Sequence, residues 1–264
     1  MHVADLQNIS LNYRIDGAEN GAPVVFVNSL GTDYRLWDKI LPLLPMGLRF
    51  IRYDKRGHGL SGCPEAPYSM GTLVGDLAKL LDHLEIRDAV VVGCSIGGLI
   101  AQGLAVKRMD QVRAMVLSNT GAKIGTKEMW ADRIEAVKAG GIEALAPATL
   151  ERWFSAKFRS KPELVAWNAM LTRTPSEGYI GCSSAIANTD FYETTASLTL
   201  PTLAIAGSED GSTPPDLVRE TAALVKGSKF ELIRGAGHLP MVEAPERFAE
   251  ILTDFLNANG HSRP

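Results

Sequence analysis

Six short runs constrain this chain most. They are "APVVFVN" (22–28), "LRFIRYD" (48–54), "DAVVVGC" (88–94), "VRAMVLSN" (112–119), "PTLAIAG" (201–207) and "KFELIRG" (229–235). Each is β-rich and nearly continuous in apolar residues. A strand with one wet face alternates polar and apolar positions, so strands without that alternation must be covered on both faces. Helical patterns lie between them, such as 70–86, 97–108 and 244–258. In 70–86, Leu73, Leu77, Leu80, Leu81 and Leu84 fall on one helix face. Strand and helix in alternation predict an α/β fold, a mostly parallel sheet with helices on both faces.

The alternation breaks over 121–197. That stretch is helix-like and holds Trp130, Trp153 and Trp167, three of the four tryptophans. Its place between two sheet strands predicts an inserted helical cap over the strands' carboxyl edge, where open α/β sheets bind ligands. The expected organisation is a core of 1–120 and 198–264 with a cap of 121–197. A chain of 264 residues suits one domain with such an insertion. The tail 259–264 reads as frayed.

The bulk numbers exclude some classes. Net charge is −3, with no long basic run, which argues against a sequence-independent grip on nucleic acid or an anionic membrane. Cys63, Cys94 and Cys182 are odd in number and widely spaced, so they outline neither a disulfide framework nor a metal site. No stretch reads as a signal peptide or a membrane span. The expectation is a cytoplasmic protein.

One stretch, "VVGCSIGGLIAQ" (91–102), sets a thiol beside a hydroxyl. A nucleophile lifted above the sheet edge needs a sharp strand-to-helix turn, with small residues two before and two after it. Gly93 and Gly97 bracket Ser95 in this way. A turn centred on Cys94 would need small residues at Val92 and Ile96, and neither is small. Ser95 is therefore the candidate nucleophile, and Cys94 a small packing residue.

A serine needs a base. His2 and His261 lie near the ends, His83 sits in a helical pattern, and His58 lies in a tight glycine-rich loop that reads as a structural hydrogen bond. His238, between the last strand and the last helix, is the candidate base. Asp210, in the loop after 202–207, is the candidate that orients it, with adjacent Glu209 as competitor. The order Ser95…Asp210…His238 is that of α/β-hydrolases. An oxyanion hole needs two N–H groups, expected from Ile96, after the nucleophile, and from Leu30, in the loop after 23–27.

These residues resemble the α/β-hydrolase superfamily over nearly the whole chain. "NSLGTDYRLWD", "YDKRGHGLSG", the Ser95 turn, "AGSEDGSTPP", "GAGHLPMVEAPERF" and the cap segment "PSEGYIGCSSAIANTDF" look most like its enol-lactonase branch. A serine at position 95, where an aspartate would be expected, speaks against haloalkane dehalogenases and epoxide hydrolases. The usual His-Gly pair of the oxyanion loop is replaced by Asn28-Ser29-Leu30-Gly31.

The resemblance implies hydrolysis of 3-oxoadipate enol-lactone to 3-oxoadipate in aromatic-compound catabolism, the β-ketoadipate pathway. It implies no metal and no organic cofactor. The partner it implies is a small lactone bearing a carboxylate, so the cap should supply a cation. Trp130 and Arg133 share a face if 127–138 is helical. They could form an apolar wall and a bidentate carboxylate grip. They could equally be cap core and a solvated charge. The rivals are a carboxylesterase or other hydrolase of small esters or C–C bonds, and a ligand-binding receptor on the same scaffold.

Overall fold

The computed structural model describes residues 2–261. Its strands are β1 (His2–Asp5), β2 (Ser10–Gly17), β3 (Ala22–Val27), β4 (Leu48–Tyr53), β5 (Ala89–Cys94), β6 (Val112–Ser118), β7 (Thr202–Gly207) and β8 (Lys229–Ile233). They form one sheet in the order β1-β2-β4-β3-β5-β6-β7-β8. Pairings β1–β2 and β2–β4 are antiparallel, and the other five are parallel. Every residue of β5 and β7 is buried, as their unbroken apolar sequences require.

The helices are α1 (Met70–His83), α2 (Ile96–Lys107), α3 (Lys127–Gly140), α4 (Ala146–Trp153), α5 (Ala156–Arg159), α6 (Leu164–Thr172), α7 (Ser176–Ala187), α8 (Tyr192–Ala196), α9 (Pro215–Leu224), α10 (Pro240–Glu243) and α11 (Pro245–Ala258). The Ser69 hydroxyl caps α1 by accepting from Thr72 N–H at 3.0 Å. Leu73, Leu77, Leu80 and Leu81 are buried along its inner face. Leu84 lies just past its end, where Glu85 turns to φ 55°. Helices α3 to α8 all lie between β6 and β7, and the tryptophans Trp130, Trp153 and Trp167 are buried there. Among the described residues no helix is long and apolar enough to cross a membrane.

The chain runs from β3 to β4 on one side and then crosses to β5 on the other. The strand order therefore reverses between β3 and β5, and the crevice at their carboxyl ends is the place where such a sheet takes a ligand. The turns 28–33 and 94–96 meet there.

Two features differ from the sequence reading. The antiparallel pair β1 and β2 carries no continuous apolar run; β2 has mixed burial and includes the charged Arg14 and Asp16. The tail is packed as far as it is described. His261 is buried, and its Nε2 lies 2.8 Å from the carbonyl of Pro23. Residues 262–264 lie outside the described residues.

The loop after β4 is tied to α1 by a buried bidentate pair. Arg56 Nε and Nη2 donate to the Asp76 carboxylate at 2.5 and 2.7 Å. Removing one partner of such a pair strands a buried charge. Asp76→Ala is expected to lower the unfolding free energy by about 3–5 kcal/mol in urea titration. The double replacement Arg56→Met with Asp76→Leu should lose clearly less, because it leaves no lone charge.

Candidate active site

Ser95 stands between β5 and α2 with φ 57° and ψ −119°. A non-glycine residue seldom adopts that conformation, and surrounding structure must impose it. A Cβ at Gly93 would overlap the carbonyl of Gly97, and one at Gly97 would overlap that of Val27. The two glycines thus let the start of α2 lie directly on the ends of β5 and β3. Ser95 N–H donates to the carbonyl of Ser118 at 3.0 Å, and Thr120 Oγ1 donates to the Ser95 carbonyl at 2.7 Å.

Cys94 points the other way. It is fully buried, and its thiol lies 3.8 Å from the carbonyl of His238. Burial, reinforced by the charge of Asp210, pushes that thiol well above its usual range, so it stays protonated. Cys182 is also buried, and burial pushes its thiol up to about 12. It lies 3.9 Å from the Arg56 carbonyl as a packing residue.

His238 follows β8, and its Nδ1 lies 2.9 Å from Asp210 Oδ2. Glu209 is exposed, whereas Asp210 is buried, so the structure brings Asp210 to the imidazole. Asp210 Oδ2 also accepts from Asn119 Nδ2 at 2.9 Å and Thr213 Oγ1 at 2.8 Å. Its Oδ1 accepts from the N–H groups of Ser212 and Thr213 at 2.7 and 3.0 Å. Burial pushes this carboxyl up, but His238 and these donors outweigh it and hold it below its usual value. A carboxylate held in this way fixes the proton on His238 Nδ1 and leaves Nε2 as the lone-pair nitrogen. Nε2 lies 3.5 Å from Ser29 Oγ, and no hydrogen bond joins it to Ser95 Oγ in this conformation. Such bonds often tighten only when substrate arrives.

Leu30 N–H has no acceptor among the described residues, and Ile96 N–H opens α2, where the first amides have no intrahelical partner. Ser95, His238, Ser29 and Leu30 line one narrow cavity of about 80 Å³. Trp130 and Arg133, both from α3, line it too. The Arg133 guanidinium lies 4.7 Å from the Trp130 ring centroid, and Trp130 Nε1 donates to the Ile124 carbonyl at 2.6 Å. Trp130 is therefore both a packed residue of the insertion and a cavity wall.

The sequence reading missed Arg152, Trp153 and Tyr179, which also line the cavity. Burial, followed by the positive charge of Arg133, lowers Arg152 from its usual range. Burial raises the Tyr179 phenol against the pull of both guanidiniums. Arg152 Nη2 donates to Thr149 Oγ1 at 3.2 Å. Among the described residues neither guanidinium has a carboxylate within ion-pair distance. Asn119 was missed as well, although the polar pair Ser118-Asn119 closing the apolar run of β6 was a legible signal.

The alpha/beta hydrolase family model matches residues 24–251. Over 258 residues the chain is 36% identical to 3-oxoadipate enol-lactonase 1 of Acinetobacter baylyi, covering 97% of this chain and 96% of that protein. It is 33% identical to enol-lactonase 2 of the same organism over 244 residues, covering 92% and 91%. The crystal structure of the enol-lactonase from Burkholderia xenovorans superposes with a TM-score of 0.93 at 34% identity. That match covers 97% of this chain and 100% of the other.

The arrangement at positions 94 and 95 gives a direct test. Ser95→Ala should abolish ester hydrolysis and leave the unfolding midpoint close to wild type, whereas Cys94→Ala should keep activity within a few-fold. An active Ser95→Ala protein beside a folded but inactive Cys94→Ala protein would reverse the assignment.

The state of Asp210 sets the pH profile. Held below its usual value, this carboxyl stays ionised throughout the range where histidine titrates. The profile of kcat/KM should therefore show one acid limb of one proton. Asp210→Asn should lower the plateau by about a thousand- to ten-thousand-fold. A second acid limb in wild type, or a full plateau in Asp210→Asn, would contradict this reading.

Proposed function

The chain belongs to the alpha/beta hydrolase family, and from that premise we propose that it hydrolyses 3-oxoadipate enol-lactone to 3-oxoadipate through Ser95, His238 and Asp210. One observation carries the choice of substrate class. The cavity that holds Ser95 and His238 also holds Arg133 and Arg152, neither of them neutralised by a carboxylate. A pocket for neutral esters has no use for two half-buried guanidiniums turned toward the same cavity. A substrate carrying a carboxylate offsets their mutual repulsion and the partial burial of Arg152.

In this reading Ser95 Oγ attacks the lactone carbonyl while His238 Nε2 takes its proton. The N–H groups of Leu30 and Ile96 hold the resulting oxyanion. The ring C–O bond breaks, and its electron pair leaves as an enolate, a better leaving group than an alkoxide. That enolate takes the proton from His238 and becomes a ketone, which makes ring opening effectively irreversible. His238 then draws a proton from water as the water attacks the acyl carbonyl, and it returns that proton to Ser95 as the acid departs. Trp130, Trp153 and Tyr179 wall the ring, and the guanidiniums hold the distant carboxylate. The reading needs no metal or organic cofactor, and free thiols at Cys63, Cys94 and Cys182 suit a reducing cytoplasm.

The test compares kcat/KM for the enol-lactone with that for a neutral aryl ester. Arg133→Ala and Arg152→Ala should each lose about ten- to a hundred-fold on the lactone, from a charge-assisted contact of about 1.5–3 kcal/mol. The aryl ester should barely change. Arg133→Lys should recover only part of the loss, since an ammonium lacks the planar fork. Equal losses on both substrates would point to damage to the insertion and favour a carboxylesterase for neutral esters. A wild-type protein that gives neither an acylation burst nor turnover would be a binding protein.

A further inference from the structure

The loop after β4 is built against the turn that presents Leu30. Lys55 Nζ donates to the carbonyl of Ser29 at 2.6 Å and to that of Thr32 at 3.3 Å. His58 Nε2 accepts from Gly31 N–H at 3.0 Å. Thr32 closes the turn on itself, its N–H and Oγ1 reaching the Ser29 carbonyl at 3.3 and 2.9 Å. Each of these ties grips a group beside Leu30 N–H, which itself stays free. Gly31 takes φ 75°, so the turn needs a residue without a Cβ there.

Lys55 and His58 are both almost wholly buried, and neither lines the cavity around Ser95. A buried ammonium and a buried imidazole are costly unless every polar atom is met. Here both are met largely by the backbone of one turn. We propose that Lys55 and His58 are positioning residues of the oxyanion hole: they hold residues 29–32 so that Leu30 N–H points at the carbonyl oxygen under attack. The inference rests on reading Leu30 and Ile96 as the oxyanion donors.

The hydrogen bonds of His58 define its role. Its Nδ1 lies 3.2 Å from the Arg56 carbonyl, so Nδ1 carries the proton and Nε2 offers its lone pair to Gly31. Burial, then the charge of Lys55, pushes this imidazole well below its usual range. The acceptor therefore persists. Arg56 is in turn fixed by Asp76, which anchors the clamp to α1. The knot is closed by Gly57 N–H to the Gly62 carbonyl at 2.8 Å and by His58 N–H to the Lys55 carbonyl at 3.0 Å.

Two amide variants isolate the acceptor. In His58→Gln the side-chain oxygen can still reach Gly31 N–H. In His58→Asn it falls short, although size and polarity are similar. The oxyanion forms only in the transition state, so a misplaced donor lowers kcat and spares KM. With an activated aryl ester, His58→Asn should lose about ten- to a hundred-fold in kcat with KM within about twofold. His58→Gln should stay within about threefold of wild type. Burst and steady-state rates of His58→Asn should fall together, because acylation and deacylation both pass through an oxyanion. Lys55→Met should show the same loss in kcat and stands in if His58→Asn is too unstable to assay.

Equal kcat in the two His58 variants, or a loss carried by KM, overturns the inference. So does a wild-type kcat in Lys55→Met. Ser95→Ala in the same assay separates the two levels. If it is inactive while the His58 variants match one another, the hydrolase reading stands and the clamp falls. If it is as active as wild type, both fall.

Discussion

The structure turns on a contact that only glycine permits. Gly97 lies against the carbonyl of Val27 so closely that any Cβ would overlap it. Because the chain reverses its strand order between β3 and β5, this contact seats the first turn of α2 on the end of β3. The unusual backbone of Ser95 follows, and it persists because the Ser118 carbonyl and the Thr120 hydroxyl hold it on either side. The same contact brings Ile96 N–H, at the positive end of α2, to the turn that carries Leu30 N–H. Serine, helix terminus and loop are thereby placed together by packing before any substrate is bound.

The insertion is held to that centre through its backbone. Trp153 O accepts from His238 N–H at 2.8 Å, and Arg152 O accepts from Gly211 N–H at 3.1 Å, one residue beyond Asp210. The Glu243 carboxylate bridges the two parts, accepting from Gly237 N–H at 2.7 Å and from the Ser155 hydroxyl at 2.5 Å. Burial raises this carboxyl although each of these donors pulls it down. The segment that presents the Arg152 guanidinium to the cavity is thus the segment bonded to both loops of the proposed acid–base pair. A shift of α4 would move the anion grip and the His238 loop together.

What the sequence made legible follows from how many constraints met at each position. Strands β5 and β7 could be read because burial on both faces leaves no polar position to break the run, whereas β8, with Lys229 exposed and Glu231 half-buried, was read from its apolar Phe230, Leu232 and Ile233 alone. Ser95 could be read because two glycines at fixed spacing answer one steric demand. Asp210 and Glu209 were not separable by type, since both are carboxylates on one loop; only the path of the backbone buries the first and exposes the second. Strands β1 and β2 were missed because a short antiparallel pair at the sheet edge is partly wet and carries charge. Arg152 was missed for a related reason. In "LERWF" it reads as a solvated charge on a short helix, and only the folding of α4 back onto the sheet edge turns it inward.

The two positive elements of the proposed site act on different charges. On that proposal the substrate carboxylate is present in the ground state and unchanged in the transition state, so Arg133 and Arg152 would bind both alike and act on KM. The oxyanion exists only while the carbonyl is tetrahedral, so as its proposed donors Leu30 and Ile96 would act on kcat. The fold keeps these roles apart by building them on different parts of the chain: the guanidiniums on α3 and α4, the amides on the turns after β3 and β5. Trp130, Trp153 and Tyr179 wall the cavity, and a substrate seated against them would displace water and strengthen both proposed interactions. In this division, changes in the insertion can alter which anion is gripped without disturbing how the carbonyl is attacked, provided the backbone bonds of Arg152 and Trp153 to the sheet edge are kept.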